Sequence, residues 1–266
     1  MTNNKRYHNT YQSKLEVSKT SKIDYLIKES RYSEALTLID KKLEKEKSAD
    51  NWNLKGIILD KLNEYEKSAE SFSKALAINE KSEIKVNKAN TLYKWAKIAY
   101  FPEGNYEKAI ELVNEAMEIM PPENDLSEYY FLKGEILEAL GEYIESKKSF
   151  LIAYEKFDEL EIFEKDVDYL KNTDDTLIIV TGYHYYNYTP EENQIVELRK
   201  EDDNEHDKDA IAIYFNENKI GYVANSEYTL IDEVESASKI RKKINENSKA
   251  KILFNYLDSY LIAKLL

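Results

Sequence analysis

The segment "EDDNEHDKDA" (201–210) gathers five carboxylates, Asn204 and His206 into seven residues of a chain that has only three histidines. Such a cluster suggests a cation site, an acid/base pair, a solvated turn or a recognition loop. A calcium loop of the helix–loop–helix kind needs glycine at its sixth position and glutamate at its twelfth. Counting from Asp202 those positions hold Asp207 and Ile213, and from Asp203 they hold Lys208 and Tyr214, so that chemistry is rejected. Zinc or iron asks for two or more histidines or cysteines. With no cysteine in the chain, His184 and His206 from separate segments make a poor ligand set, and no metal or cofactor is expected. Paired carboxylates for hydrolysis need a cleft that raises one pKa, which a polar loop does not offer. A nuclease built on Asp203, His206 and Asp207 is therefore set aside. Asn204 and Asp207 also suit a tight turn through side-chain-to-backbone hydrogen bonds, and that reading stays open.

The chain around this loop has 266 residues, enough for two domains, and a formal charge of −13. Absence of cysteine excludes disulfides and thiolate chemistry. No basic-then-apolar leader and no long apolar run is present, so a soluble, cytoplasmic protein without membrane contact is expected. The excess of acid argues against diffuse attraction to nucleic acid or anionic lipid. Residues 1–14 are polar and are expected to be disordered.

Residues 15–171 are rich in Leu, Ala, Glu and Lys and repeat themselves. "RYSEA" (31–35), "EYEKS" (64–68), "NYEKA" (105–109) and "EYIES" (142–146) each set a tyrosine three residues before a small residue. Their spacing of 33, 41 and 37 residues is close to that of a helix-pair repeat. "NWNLKGIIL" (51–59) and "YYFLKGEIL" (129–137) supply first helices, each with an aromatic four residues before glycine. Small residues at Gly56, Ser68, Ala75, Gly134, Ser146 and Ala153 let paired helices approach, with Tyr65 and Tyr143 expected to fill the gap between them. These marks resemble the tetratricopeptide (TPR) repeat. The resemblance implies an all-α superhelix of four repeats, roughly 15–48, 49–82, 83–121 and 124–158, the third lengthened around Trp95–Pro102. A capping helix is expected at 159–171. Solenoids of this kind offer a groove to a protein partner, although no set of groove lysines and asparagines that would clamp a carboxylate stands out.

From residue 174 the pattern turns to β-branched and aromatic runs. "TLIIVTGYHYY" (176–186), "QIVELR" (194–199), "AIAIYF" (210–215) and "IGYVA" (220–224) read as strands, with a hairpin turn at "NENK" (216–219). Residues 227–245 read as a helix, and 250–266 as one or two strands. Five or six short strands with a helix suggest a small barrel.

"VTGYHYY" (180–186), "VELRKEDDNEHDKDAIAIY" (196–214) and "KIGYV" (219–223) together resemble the HIRAN domain, an OB-like β-barrel, over 174–266. The resemblance implies binding of single-stranded DNA at its free 3′ end in a repair or replication setting. It assigns nucleic-acid contact to His184, Tyr185, Tyr186, Asn204, His206, Asp207 and Tyr222. Tyr185 and Tyr186 are expected to leave a strand on opposite faces, one ring packing inward and the other offered to a base. The Asp207 carboxylate would accept a hydrogen bond from a terminal hydroxyl. Two departures stand out. His184 replaces a usual arginine, and Asp209 replaces a usual asparagine. Residues 174–266 carry 11 Lys and Arg against 18 Asp and Glu. The basic run Lys239, Arg241, Lys242, Lys243, Lys249 and Lys251 reads first as a solvated helix end, and Glu201, Asp202 and Glu205 read as solvated bystanders. The combined expectation is a non-catalytic adaptor, with a helicase or nuclease on another chain as the natural partner by family analogy. The rival expectation is a protein-interaction scaffold that binds no nucleic acid.

Overall fold

The computed structural model describes residues 21–266. The expected disordered segment 1–14 and the start of the first repeat lie outside those residues. The chain forms two compact units that divide between Glu155 and Lys156.

Eight described helices make up the first unit: α1 (Lys22–Lys28), α2 (Tyr32–Lys45), α3 (Ala49–Lys61), α4 (Tyr65–Ile78), α5 (Ser82–Tyr100), α6 (Tyr106–Ile119), α7 (Ser127–Ala139) and α8 (Tyr143–Ala153). They pair in sequence order, as the repeats require. Capping residues mark several starts. Ser21 and Asp24 form a reciprocal capping box before α1. Ser48 accepts from the Asn51 amide, and Asn105 from the Lys108 amide; each satisfies an amide left unpaired at a helix start. Asn63 (φ 60°) and Gly141 (φ 80°) make the turns within the second and fourth pairs.

The two glycine-bearing pairs are built alike. A Cβ on Gly56 would meet the Phe72 ring at 2.6 Å, and one on Gly134 would meet Phe150 at 2.8 Å. The Ser68 hydroxyl donates to the Gly56 carbonyl at 2.8 Å, and Ser146 to Gly134 at 2.9 Å. Glycine lets the ring in, and the serine satisfies a buried carbonyl at the close crossing. The expectation for Tyr65 and Tyr143 is corrected here. Phe72 and Phe150 occupy the crossing, while Tyr65 is half-buried and Tyr143 is 57% exposed. A tyrosine opening the second helix lies one to two turns from the glycine crossing and keeps its hydroxyl near water.

The second unit begins with α9 (Phe157–Asn172) and continues as β1 (Leu177–Thr181), β2 (Ile195–Lys200), β3 (Ile211–Phe215), β4 (Asn218–Val223), α10 (Ala237–Ile240), β5 (Lys249–Tyr256) and β6 (Tyr260–Leu265). The strands close into an antiparallel barrel in the order β1-β4-β3-β2-β5-β6. Tight turns make two of the hairpins. Asn216 and Glu217 both have positive φ between β3 and β4, as do Leu257 and Asp258 between β5 and β6. That geometry matches the twist of paired strands. The core includes Ile178, Val196, Leu198, Ile213 and Ile252, closed by Ile240 from α10.

Three sequence expectations change in this unit. The helix at 157–172, expected to cap the solenoid, packs on the barrel: Phe163 stacks on Tyr256 with ring centres 6.1 Å apart, and Tyr169 meets Phe254 edge-on at 6.3 Å. The helix expected over 227–245 is a 3-10 turn at Glu227–Thr229 and one short helix at Ala237–Ile240. Backbone amides that a longer helix would bond internally go elsewhere, Glu235 to the Leu177 carbonyl at 2.8 Å and Ala237 to Ala224 at 2.9 Å. Finally, the strand over 176–186 stops at Thr181. Gly182 takes a left-handed φ of 75°, and Tyr183–Tyr186 form one 3-10 turn ended by Asn187 at φ 50°. Tyr185 and Tyr186 therefore project from a turn and do not alternate across a sheet.

Candidate nucleic-acid interface

Strand pairing brings the chemistry-bearing segments to one side of the barrel. Thr181 pairs with Tyr222, so the 182–187 turn starts beside β4. Ala212 also pairs with Tyr222, which carries the β2–β3 loop (201–210) towards the same strand. Gly221 permits this approach, because a Cβ there would sit 2.6 Å from the Thr181 carbonyl oxygen.

Glu201 is the hub. One carboxylate oxygen is bonded by the Lys219 ammonium. The other accepts from the Tyr222 hydroxyl at 3.0 Å and from the Asn204 amide at 3.0 Å. Lys219 also donates to the Tyr222 hydroxyl at 3.1 Å and lies 5.1 Å from the centre of that ring. The Glu201 and Lys219 side chains are 19% and 27% exposed. Burial alone would raise the Glu201 pKa, but the bonds from Lys219, Asn204 and Tyr222 outweigh it and hold the group below the usual carboxylate range. The bond to Glu201 raises the Lys219 pKa in turn.

The loop continues from this hub. The Asn204 side-chain carbonyl accepts from the amides of His206 and Asp207, each at 3.0 Å. Asp207 accepts from the Asp209 amide at 2.9 Å and from the Asn225 side chain at 2.9 Å, and Asn225 accepts from the Ser238 amide at 3.0 Å. Arg241 donates to the Ala210 carbonyl at 2.7 Å and pairs with Asp202. Asn204 and Asp207 thus shape the loop, in keeping with the turn reading. One Asp207 oxygen takes a single bond in this network, leaving capacity for another donor.

The seven expected site residues divide into two groups. Tyr186 faces Tyr222 at 6.4 Å, and Tyr222 connects through Glu201 to Asn204 and through it to Asp207. Burial, then the Tyr222 hydroxyl, raises the Tyr186 pKa. Tyr186 is itself 38% exposed, and the side chains of His184, Tyr185 and His206 are exposed outside this network. Tyr185 is 91% exposed, and His184 lies against the Tyr183 ring at 4.1 Å. Among the described residues no group of three or more His, Cys, Asp or Glu is placed to hold a metal ion.

Sequence reasoning missed four members. Glu201, read as a bystander, is the hub, and Lys219, Asn225 and Arg241 were given no role in the loop. The one available signal was position. Glu201 directly follows β2, and Lys219 lies three residues before Tyr222, so neither can move far from the Tyr222 strand. Arg241 stood within a basic run whose other members hid it.

The HIRAN domain family model matches residues 175–249, and the tetratricopeptide repeat model matches residues 49–82 and 127–155. The two repeat matches are the pairs α3–α4 and α7–α8, which carry the glycine and serine crossings. No curated protein matches the chain. Two solved structures described as MamA align with it, each at 22% identity over 52% of this chain. They are covered over 75% and 73% of their own lengths, with TM-scores of 0.37 and 0.36.

Proposed function

From a chain that joins tetratricopeptide repeats to a HIRAN domain, we propose a non-catalytic adaptor that holds a protein partner on its repeats and the 3′ end of single-stranded DNA on its barrel. Both modules are of kinds that generally bind, one to proteins and the other to nucleic acid. A repair or replication setting, with a helicase or nuclease as the docked protein, follows from the same family analogy.

One observation carries the nucleic-acid reading. Tyr185 holds a large ring 91% exposed on a turn fixed at both ends by left-handed residues. An aromatic kept in water on a constrained turn suits base stacking, which contributes about 1–3 kcal/mol per base. Beside it, Tyr186 and Tyr222 extend the aromatic surface towards the 201–210 loop, and Asp207 retains acceptor capacity for a hydroxyl. The loop's acids are partly neutralised within the fold, Glu201 by Lys219 and Asp202 by Arg241. The scaffold reading draws its support from the net acid of residues 174–266, which weakens phosphate attraction.

Fluorescence anisotropy with a labelled oligonucleotide ending in a 3′-hydroxyl, against the same strand ending in a 3′-phosphate, separates the two. Preference for the hydroxyl end that persists at moderate salt is expected. Binding that ignores the 3′ end removes end capture, and no binding leaves the scaffold. Strand cleavage on adding a divalent metal would overturn the non-catalytic assignment.

A further inference from the structure

The third repeat departs from its neighbours. Its first helix, α5, runs 19 residues where α3 and α7 run 13. Trp95 and Ile98 fall in the added length. With Glu103, the α3–α4 turn residues Asn63 and Glu64, and Tyr65–Lys67 at the start of α4 they line an open cleft of about 560 Å³.

The cleft has an apolar floor and an acidic rim. Tyr65 and Trp95 are half-buried and Ile98 is 39% exposed. Phe101, between the lining residues Ile98 and Glu103 in the chain, is 77% exposed. Three carboxylates, Glu64, Glu66 and Glu103, line the cleft against one cation, Lys67, which is bridged to Glu64 at 2.5 Å. The Lys108 ammonium lies 5.0 Å from the centre of the Trp95 ring, a cation–π contact within the fold that leaves a partner's cations to the carboxylate rim.

This cleft differs from the face where the first helices meet. There Asn87 donates to Asn53 at 3.1 Å, and Thr91 and Lys94 donate to Asp60 at 2.9 and 2.6 Å. None of those residues lines the cleft.

We propose that the α5 cleft is a docking site for a basic segment of a partner protein, in which an aliphatic or aromatic anchor is flanked by lysine or arginine. The anchor covers Trp95, Ile98 and Phe101, and the flanking cations meet Glu66 and Glu103. Exposed apolar side chains rimmed by charge of one sign fit a partner of opposite charge with a buried anchor.

The test is selection of a random dodecapeptide library displayed on phage against the full chain, followed by anisotropy of the recovered peptide. Enriched sequences are expected to carry Lys or Arg around Leu, Ile, Phe or Trp. The double variant Ile98→Asp, Phe101→Asp should weaken binding about tenfold or more, in the range of interface anchors. Both positions are solvent-facing, and an unchanged far-UV circular dichroism spectrum and urea midpoint of the unbound variant check that the fold survives. Glu66→Lys with Glu103→Lys should weaken it as well. Recovery of no peptide or of acidic peptides overturns the proposal, as does binding indifferent to the cleft variants. Loss of binding on Asn53→Ala with Asn87→Ala alone moves the site to the first-helix face. If sedimentation shows a dimer that Phe101→Asp dissociates, a second copy of the chain is the occupant and the proposal fails.

Discussion

Replacing Glu201 by glutamine tests whether the hub holds the barrel loop in place. The variant keeps the shape but removes the charge that Lys219 faces and weakens the acceptor for Tyr222 and Asn204. An exposed pair contributes up to about 1 kcal/mol, and breaking a fully buried pair costs about 3–5 kcal/mol. With side chains 19% and 27% exposed, the pair lies between these limits, and a loss of about 2 kcal/mol is expected. At a urea slope of about 2 kcal/mol per molar, the barrel midpoint falls by about 1 M. Hydrogen exchange in urea, read by mass spectrometry on peptides from residues 177–265, should follow this unit, while Trp52 and Trp95, the two tryptophans of the chain, both lie in the helical unit and report there. A double-mutant cycle with Lys219→Met should give a coupling of about 1–2 kcal/mol. The pH dependence has a fixed sign. Glu201 is lowered on folding, so its contribution is complete above its unfolded value of about 4.3 and is lost as pH falls through the lower folded value. Lys219 is raised, so its contribution is complete below about 10.4 and is lost as pH climbs through the higher folded value. The difference between native and variant chains should therefore be flat from about pH 5 to 10 and shrink in acid. A loss under about 0.5 kcal/mol with an additive cycle would refute the hub and return Glu201 to the solvent.

Three further outcomes are expected. Tyr185→Ala leaves the unfolding midpoint unchanged, since its ring is 91% exposed, yet weakens oligonucleotide binding by about 5- to 150-fold, the equivalent of one lost stack; equal affinity by anisotropy contradicts the base-stacking role. Gly221→Ala forces a methyl group to within 2.6 Å of the Thr181 carbonyl and should destabilise the barrel by about 2 kcal/mol or more, read in the exchange of the same barrel peptides. Phe163→Ala removes a ring that is 5% exposed and stacked on Tyr256, and should cost about 3 kcal/mol. The transition of the barrel peptides should move and the tryptophan transition stay; the reverse would place α9 with the repeats.

The two architectures were legible because each announces itself by periodicity. Tyrosines and small residues recurring along 31–153 mark helix pairs, and the switch to β-branched runs after 174 marks a sheet. What escaped was set by tertiary pairing. Apolar residues over 227–244 fit a helical period, but the amides of Glu235 and Ala237 bond to the barrel, and the helix is cut to four residues. "TLIIVTGYHYY" reads as one strand until the left-handed Gly182 breaks it. The α9 helix carries the amphipathic pattern of its predecessors, and sequence alone does not say which aromatics it meets. In the loop, the residue types pointed to Asn204 and Asp207, and the structure gives both a defined place. The same reasoning passed over Glu201, because carboxylates in an acid run look alike until strand pairing sets one of them beside a lysine and a tyrosine.

The barrel's hydrogen-bonded circuit has a consequence for how the molecule can vary. All six barrel strands have neighbours on both sides, with β1 meeting β4 only at Val180–Thr181, so closure shortens the strand edge open to an extended peptide or to intermolecular sheets. Tyr185, the 201–210 loop and Asn225 all belong to connections between strands. Substitutions at the exposed positions among them, Tyr185 and His206, can change the surface while the ring keeps its register. In β4 the two are joined, since Lys219 and Tyr222 are strand residues bonded to Glu201 and Gly221 between them leaves no room for a side chain against Thr181.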